Sequence, residues 1–224
     1  MSDIMSDPFC DTTQTRQAII DACLEMQACG VNQGVSGNIS LRTESGMLIT
    51  PSGVDYATMR PDMLVLVPLD GAPIAEGQMQ PSSEWQFHRD ILLAKPQEMA
   101  VVHAHPHYCT ALAMNNQPIP ACHYMVAAFG GDDVPVAGYA LFGSQDLSDL
   151  VVQALHSRSA CLMANHGAVV TGDTLERALW RMIELETLAK GYVTALTVGT
   201  PKILNAEQMR QVKQAFADYG LKTD

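Results

Sequence analysis

The chain is short of positive charge. Against 24 Asp and Glu it sets 13 Lys and Arg, a formal net charge of −11 over 224 residues. A field of that sign excludes nucleic acid and anionic membrane as partners held by general electrostatics. Any phosphate must then be gripped by a local site built from backbone N–H groups or a metal. Long apolar runs are missing too: no stretch reaches about 18 uninterrupted apolar residues, so no membrane span is expected. The opening MSDIMSDPFCDTT lacks the basic region and apolar core of a secretory signal. The six cysteines (Cys10, Cys23, Cys29, Cys109, Cys122, Cys161) form no CxxC pair, and several lie inside apolar runs. Buried thiols in a reducing compartment are expected, not a disulfide frame, and with them a cytoplasmic location. Internal repeats, low-complexity segments and long linkers are also absent. One domain over 1–224 is expected, with an N-terminal tail at 1–12 and a mobile C-terminal segment from about 205 to 224.

What is present is an ordinary globular mixture, 47% hydrophobic and 17% charged. Helical spacing over 13–29 puts Ala18, Ile19, Ala22, Cys23 and Met26 on one face, and Gly30 stops the run. Gly34, Gly37, Gly46 and Gly53 punctuate two short strands, around 39–42 and 47–50, and MLVLVPLDG at 63–71 is a third. PSSEWQFHRDILLAKP predicts a helix with Ser82 or Ser83 as N-cap and Pro96 as terminator. EMAVVHAH predicts a buried strand ended by Pro106, with a helix over 107–115 behind it. SQDLSDLVVQALHS is a capped amphipathic helix, and SACLMANHGAVVTG gives two short strands broken at 165–167. A long helix over 174–197 and a C-terminal one over NAEQMRQVKQAFADYG, capped by Gly220, complete the chain. Helices before and after irregularly alternating strands predict a mixed sheet covered on both faces.

The chemistry concentrates in VVHAHPHY. On a strand, residues two apart face the same way, so His103 and His105 present two imidazoles to one point. Neutral imidazole suits zinc and other first-row divalent ions. His166, beside Gly167 at the strand break in ANHGAVV, and Glu84, in the first turn of the helix after PSS, are candidates for the remaining ligands. Taken alone, His166 is equally a hydrogen-bonded core histidine and Glu84 a helix-capping carboxylate. GVSGNIS and TPSG, alone, are plain turn chemistry. His107 lies past the strand end and is set aside. His88, His123 and His156 are assigned to a helix surface, a loop and a helix end.

GVSGNIS, ITPSGVDY, PSSEWQFH, VVHAHP, HYMVAAFGG and NHG occur in an order and at spacings that resemble the class II aldolase family, of the fuculose-phosphate aldolase type, over residues 16–219. The resemblance implies a three-layer α/β/α fold around a mixed, mostly antiparallel sheet. His103, His105 and His166 match the zinc histidines, and Glu84 the acidic residue that ligates zinc and acts as acid/base. Ser36, Gly37, Asn38, Ser52, Gly53, Ser82 and Ser83 match the loops that hold the substrate phosphate. Tyr124 matches a catalytic tyrosine lent by the neighbouring subunit. Phe142 and Tyr219 fall where the family lines the aldehyde side, Tyr219 in a mobile tail. A homotetramer with intersubunit active sites is implied. The related pentulose-phosphate epimerases tend to carry Asp where this chain has Glu84, and the adducin head generally lacks the metal histidines.

The expected activity is a zinc-dependent aldolase, with cobalt or manganese as alternative ions. It would cleave a small phosphorylated sugar, a deoxyketose 1-phosphate, to dihydroxyacetone phosphate and an aldehyde. L-Fuculose 1-phosphate, giving lactaldehyde, is the leading substrate. 5-Deoxyribulose or 5-methylthioribulose 1-phosphate comes second, epimerase or decarboxylase activity after that, and a metal-free adducin-like scaffold is the non-catalytic alternative. Three imidazoles leave a metal with open positions for a Lewis-acid role toward an enediolate. No lysine sits near the histidines in sequence to form a Schiff base. Glu84 is placed to move the proton on carbon and Tyr124 the proton of the aldehyde oxygen. The glycine and serine turns, with the helix start near Ser82 and Ser83, supply donors to phosphate without any cationic field.

Overall fold

The computed structural model describes residues 10–216. In chain order the elements are α1 (Thr13–Ala28), β1 (Asn38–Thr43), β2 (Gly46–Ile49), β3 (Val65–Val67), α2 (Trp85–Ala94), β4 (Ala100–Ala104), α3 (His107–Met114), β5 (Ile119–Pro120), β6 (Asp133–Val134) and β7 (Val136–Ala137). They continue with α4 (Gln145–Ala154), β8 (Ala160–Met163), β9 (Gly167–Gly172), α5 (Leu175–Val198) and α6 (Ala206–Phe216). Seven strands form one sheet in the order β3-β2-β1-β4-β9-β8-β7. Every neighbouring pair in it is antiparallel except β7 with β8, so the sheet is mixed and mostly antiparallel, as expected.

The two-residue period of the strands decides what packs where. Ile39 and Leu41 on β1, Leu48 on β2, Ala100, Val102 and Ala104 on β4, Leu162 on β8 and Val170 on β9 face one way. They join Ile19 and Met26 of α1, Leu112 of α3 and Met182 and Leu185 of α5. Met47, Ile49, Val65, Val101, Cys161, Met163 and Val169 face the other way, against Phe87, Ile91 and Leu92 of α2 and Leu147 and Val151 of α4. Each fully buried aliphatic side chain of this kind contributes roughly 1.5–3 kcal/mol. The result is helices on both faces of the sheet.

Local chemistry sets the helix ends. Thr12, Ser144 and Thr174 cap α1, α4 and α5 by accepting from the N–H of Thr15, Leu147 and Arg177 at 3.0, 3.2 and 3.1 Å. Each such cap is worth about 1 kcal/mol. Some boundaries depart from the sequence reading. β3 is only three residues long, because Pro61–Met63 turns as a 3-10 helix before it and Pro68 follows. α2 starts at Trp85, so its N-cap position is Glu84 and not Ser82 or Ser83. The segment between α3 and α4 holds three two-residue strands and a 3-10 helix at Tyr124–Phe129, none of which the sequence announced. α6 docks through buried Met209. Gly220 and Tyr219 lie outside the described residues. Among the described residues no helix is long and apolar enough to cross a membrane.

Candidate metal centre and cleft

The sheet register builds the site. β1 and β4 pair so that Asn38 stands opposite His103. Opposed residues of an antiparallel pair share a face, so both point toward α2. Asn38 and Ser40, two apart on β1, share that face as well. β9 lies on the other side of β4, and the turn from β8 to β9 carries His166. Asn165, at φ 54°, takes the left-handed conformation that the turn requires, and its N–H donates to Ala113 O at 3.2 Å. Gly167 then lets β9 pass close to β4: a Cβ there would lie 2.5 Å from Ala104 O and 2.6 Å from Cδ2 of His105. Gly37 is under a similar constraint, with a Cβ falling 2.8 Å from His103 O. α2 begins just below this turn, and Glu84 at its start turns its carboxylate inward and makes no side-chain cap.

The side chains converge. The ligating atoms of His103, His105 and His166 all lie within 4.8 Å of one another. His103 Nε2 is 3.1 Å from His105 Nε2 and 3.2 Å from Glu84 Oε2, and His166 Nε2 is 3.1 Å from Glu84 Oε1. His103 and Glu84 are buried, and His105 and His166 are partly so. Burial opposes ionisation of the Glu84 carboxyl, yet His103 and His166 beside it hold its pKa well below the usual carboxylate range. Burial first of all pushes His105 down to about 4, so its imidazole is neutral and available as a ligand at neutral pH.

These residues fit a divalent cation on their own chemistry. His103 Nδ1 lies 2.9 Å from Ala168 O, which can only accept, so in the neutral ring Nδ1 carries the hydrogen and Nε2 is a bare lone pair. That lone pair faces a carboxylate oxygen and a second imidazole nitrogen. Glu84 Oε1 is buried with no hydrogen-bond partner among the described residues. Electron pairs so gathered need a positive charge between them. A tetrahedral ion with ligands at about 2.0–2.1 Å sets its ligand atoms roughly 3.3 Å apart, close to the three short separations found here. The donor set of imidazoles and one carboxylate suits first-row divalent ions.

Above the centre lies an open cleft of about 490 Å³. Ser36, Gly37, Asn38, Ser52, Gly53, Ser82, Ser83, Glu84, His105, Phe142 and His166 all line it. The loops that carry them are tied together. Thr50 O accepts from Ser82 N at 3.0 Å, Gln80 O accepts from Ser52 N at 2.9 Å, and Pro51 bridges Pro81. No lysine or arginine is among the described residues lining the cleft. An anion there would meet hydroxyls, amides and the metal centre, which is the local grip that the acidic chain demands.

Tyr124 is not among the described residues of this cleft. It opens the 3-10 helix, 45% exposed, with its ring 6.1 Å from that of Phe216. Val35, Pro51, Tyr139, Ala140 and Asn165 also line the cleft and were missed; Val35, Pro51 and Asn165 lie within the GVSGNIS, ITPSGVDY and NHG motifs and so had a sequence signal. His88 needs a correction. It was assigned to a helix surface, but it is fully buried and bonded to Asn38 and Ser40. Its signal was the spacing, since Glu84 and His88 stand four apart and helical residues at that spacing share a face. His123 and His156 are exposed, at the start of the 3-10 helix and just past α4.

Comparison with known proteins agrees with this geometry. Residues 17–193 match the family model described as Class II Aldolase and Adducin N-terminal domain. The L-fuculose phosphate aldolase of Escherichia coli is 44% identical, over 92% of this chain and 95% of its own. The 5-methylthioribulose-1-phosphate/5-deoxyribulose-1-phosphate aldolase of Rhodospirillum rubrum is 43% identical, over 92% of each. A solved L-fuculose 1-phosphate aldolase superposes with a TM-score of 0.88 at 33% identity, covering 92% of this chain and 97% of that one. A histidine cluster at the foot of a hydroxyl-lined cleft, on a sheet shared with these enzymes, leaves one assignment: the chain belongs to the class II aldolase family.

Proposed function

We propose that the protein is a metal-dependent aldolase that reversibly cleaves a deoxyketose 1-phosphate to dihydroxyacetone phosphate and an aldehyde. The observation that carries this reading is the meeting of three imidazoles and a buried carboxylate under a cleft lined by hydroxyls and amides. His103, His105, His166 and Glu84 hold the ion, which is zinc in this reading, with cobalt or manganese able to substitute. A divalent ion held there would supply Lewis acidity toward the substrate's carbonyl. Ser36, Gly37, Asn38, Ser52, Gly53, Ser82 and Ser83 grip the phosphate and fix the hydroxymethyl carbon of the dihydroxyacetone phosphate half over the centre. Glu84, beside the place the ion would take, moves the proton on the carbon that becomes nucleophilic in condensation.

Tyr124 protonates the aldehyde oxygen in condensation and takes its proton in cleavage. Tyr124 is exposed and is not among the described residues lining its own chain's cleft, which supports delivery by a neighbouring subunit, in a homotetramer with shared sites. Phe142 and, from the C-terminal segment, Tyr219 border the aldehyde. The chain acts as one class II aldolase domain in the cytoplasm. L-Fuculose 1-phosphate, with lactaldehyde as the aldehyde product, is the first substrate. The near-equal identity to the Rhodospirillum rubrum relative supports 5-deoxyribulose or 5-methylthioribulose 1-phosphate as the second.

The test is condensation: purified protein with dihydroxyacetone phosphate and a panel of aldehydes, the products identified, with and without a chelator. Chelator-sensitive formation of a ketose 1-phosphate is expected, and the best aldehyde names the substrate. No condensation with any aldehyde, or full activity after complete metal removal, would overturn the reading.

A further inference from the structure

Behind Glu84 runs a line of buried polar side chains. Asn38 is 3% exposed, and Ser40 and His88 are fully buried. Asn38 Nδ2 donates to Glu84 Oε2 at 3.0 Å. Asn38 Oδ1 lies 2.5 Å from His88 Nε2, and His88 Nδ1 lies 2.8 Å from Ser40 Oγ. The direction of each bond follows from the Glu84 end. A carboxylate only accepts, so Asn38 must turn its NH2 toward Glu84 and its carbonyl oxygen toward His88. A carbonyl oxygen also only accepts, so Nε2 of His88 carries the hydrogen. Nδ1 of the neutral ring is then bare and takes the hydroxyl hydrogen of Ser40.

The opposite arrangement fails at one point. With Nδ1–H on His88, the bare Nε2 would draw the NH2 of Asn38 to itself and turn the Asn38 carbonyl oxygen against the Glu84 carboxylate. Two acceptors would then face each other in a buried site. His88 thus selects between the two orientations of one carboxamide. The ring has little freedom to do otherwise, stacked on Phe87 with centroids 4.7 Å apart. Burial drives its pKa down to about 3 and keeps the ring neutral.

We propose that His88 is a positioning residue: in the Nε2–H form, with Nδ1 accepting from Ser40, it fixes the carboxamide of Asn38 so that Glu84 is held in register with the metal histidines. His88 does not itself line the cleft, and its hydrogen-bonded path to the Glu84 carboxylate runs through Asn38. The inference rests on the reading of Glu84 as the acid/base. Partners at this remove from a metal or a catalytic group commonly change affinity or activity by about 10–100-fold.

Two measurements test it. The first is a long-range ¹⁵N–¹H spectrum of the histidine rings in the metal-free protein. His88 should show a protonated Nε2 and a bare Nδ1, unchanged across about pH 6 to 8, the range where an ordinary histidine titrates. The other tautomer, or a cation forming in that range, overturns the proposal whatever the protein catalyses. The second is a cycle read by proton exchange at carbon 1 of dihydroxyacetone phosphate. His88→Leu should slow exchange about 10–100-fold, mainly in kcat and at unchanged metal content, and His88→Gln, which keeps a donor, should recover most of it. In an Asn38→Ala background, adding His88→Leu should change the rate less than about twofold. Exchange at the wild-type rate in His88→Leu, or full multiplication of the two losses, overturns the proposal. Should the leucine variant fail to fold, the tautomer decides. A wild type that exchanges no proton would refute the aldolase reading instead, and leaves the ring spectrum to judge His88.

Discussion

Gly167→Ala should damage the metal centre without touching a ligand atom. The added Cβ would lie 2.5 Å from Ala104 O and 2.6 Å from Cδ2 of His105. Ordinary carbon–oxygen contacts close at about 3.3 Å, so roughly 0.8 Å must be found. The oxygen belongs to the backbone of β4, paired with β9 at Ala104 and Ala168. A swing of the imidazole away from the new Cβ would carry it off its place beside the rings of His103 and His166, 4.9 and 5.1 Å away between centroids. Overpacking of this kind costs about 1–3 kcal/mol. In a chain of this length each kcal/mol lowers Tm by about 2–4 °C, giving roughly 2–12 °C. Metal sites tolerate about 0.2 Å of ligand displacement, so cation affinity should fall at least tenfold. Chelator competition measures the affinity and calorimetry the Tm. Gly191→Ala is the control: Gly191 is exposed within α5 with nothing within 4 Å of an added Cβ, and should gain about 0.5–1 kcal/mol. A Gly167→Ala protein with wild-type Tm and affinity within twofold of wild type would refute the close-approach account of this turn.

Further outcomes follow from the same geometry. His103→Ala, His105→Ala and His166→Ala should each strip bound metal, seen by elemental analysis, and abolish cleavage; full metal and activity in any one removes that residue from the site. Acid should destabilise the fold through His88. Its folded pKa, about 3, lies below the ordinary value, so the unfolded chain takes a proton below about pH 6.5 while the folded one does not. Stability is therefore lost as pH falls through that window, by about 2 kcal/mol between pH 7 and 5. Urea denaturation at the two pH values should show a smaller loss in His88→Gln, and equal losses would contradict the neutral buried ring. Mixing inactive Glu84→Gln and Tyr124→Phe subunits under exchange conditions should restore roughly a quarter of the sites if Tyr124 serves the neighbour. No recovery, with hybrids confirmed by native mass spectrometry, would confine both groups to one chain.

The parts legible in the sequence are those with a strong period or a rigid punctuator. His103 and His105 were legible because residues two apart on an extended chain share a face, although β4 ends at Ala104 and His105 lies just beyond it. Gly167 announced a close approach, and the structure supplies the neighbour, Ala104 O. The long helices were legible from their apolar stripes and from Ser144 and Thr174 at their starts. The segment from β5 to β7 was not, because strands of two residues carry no alternation to detect. His88 misled for a different reason. The side of α2 that turns inward at its first turns meets Asn38 and Ser40, so a polar residue there marks burial against polar strand residues and not solvent. Sequence also gave no ground to separate Glu84 as a ligand from Glu84 as a cap. That depended on where α2 begins.

The central claim is that Glu84 is the base at a metal centre held by three histidines. Proton exchange at carbon 1 of dihydroxyacetone phosphate, followed by NMR in deuterated buffer for wild type and Glu84→Gln at matched metal content, tests it most directly. The wild type should exchange this proton, and exchange should collapse in Glu84→Gln with metal still bound by the three imidazoles. Exchange at the wild-type rate in Glu84→Gln would contradict it.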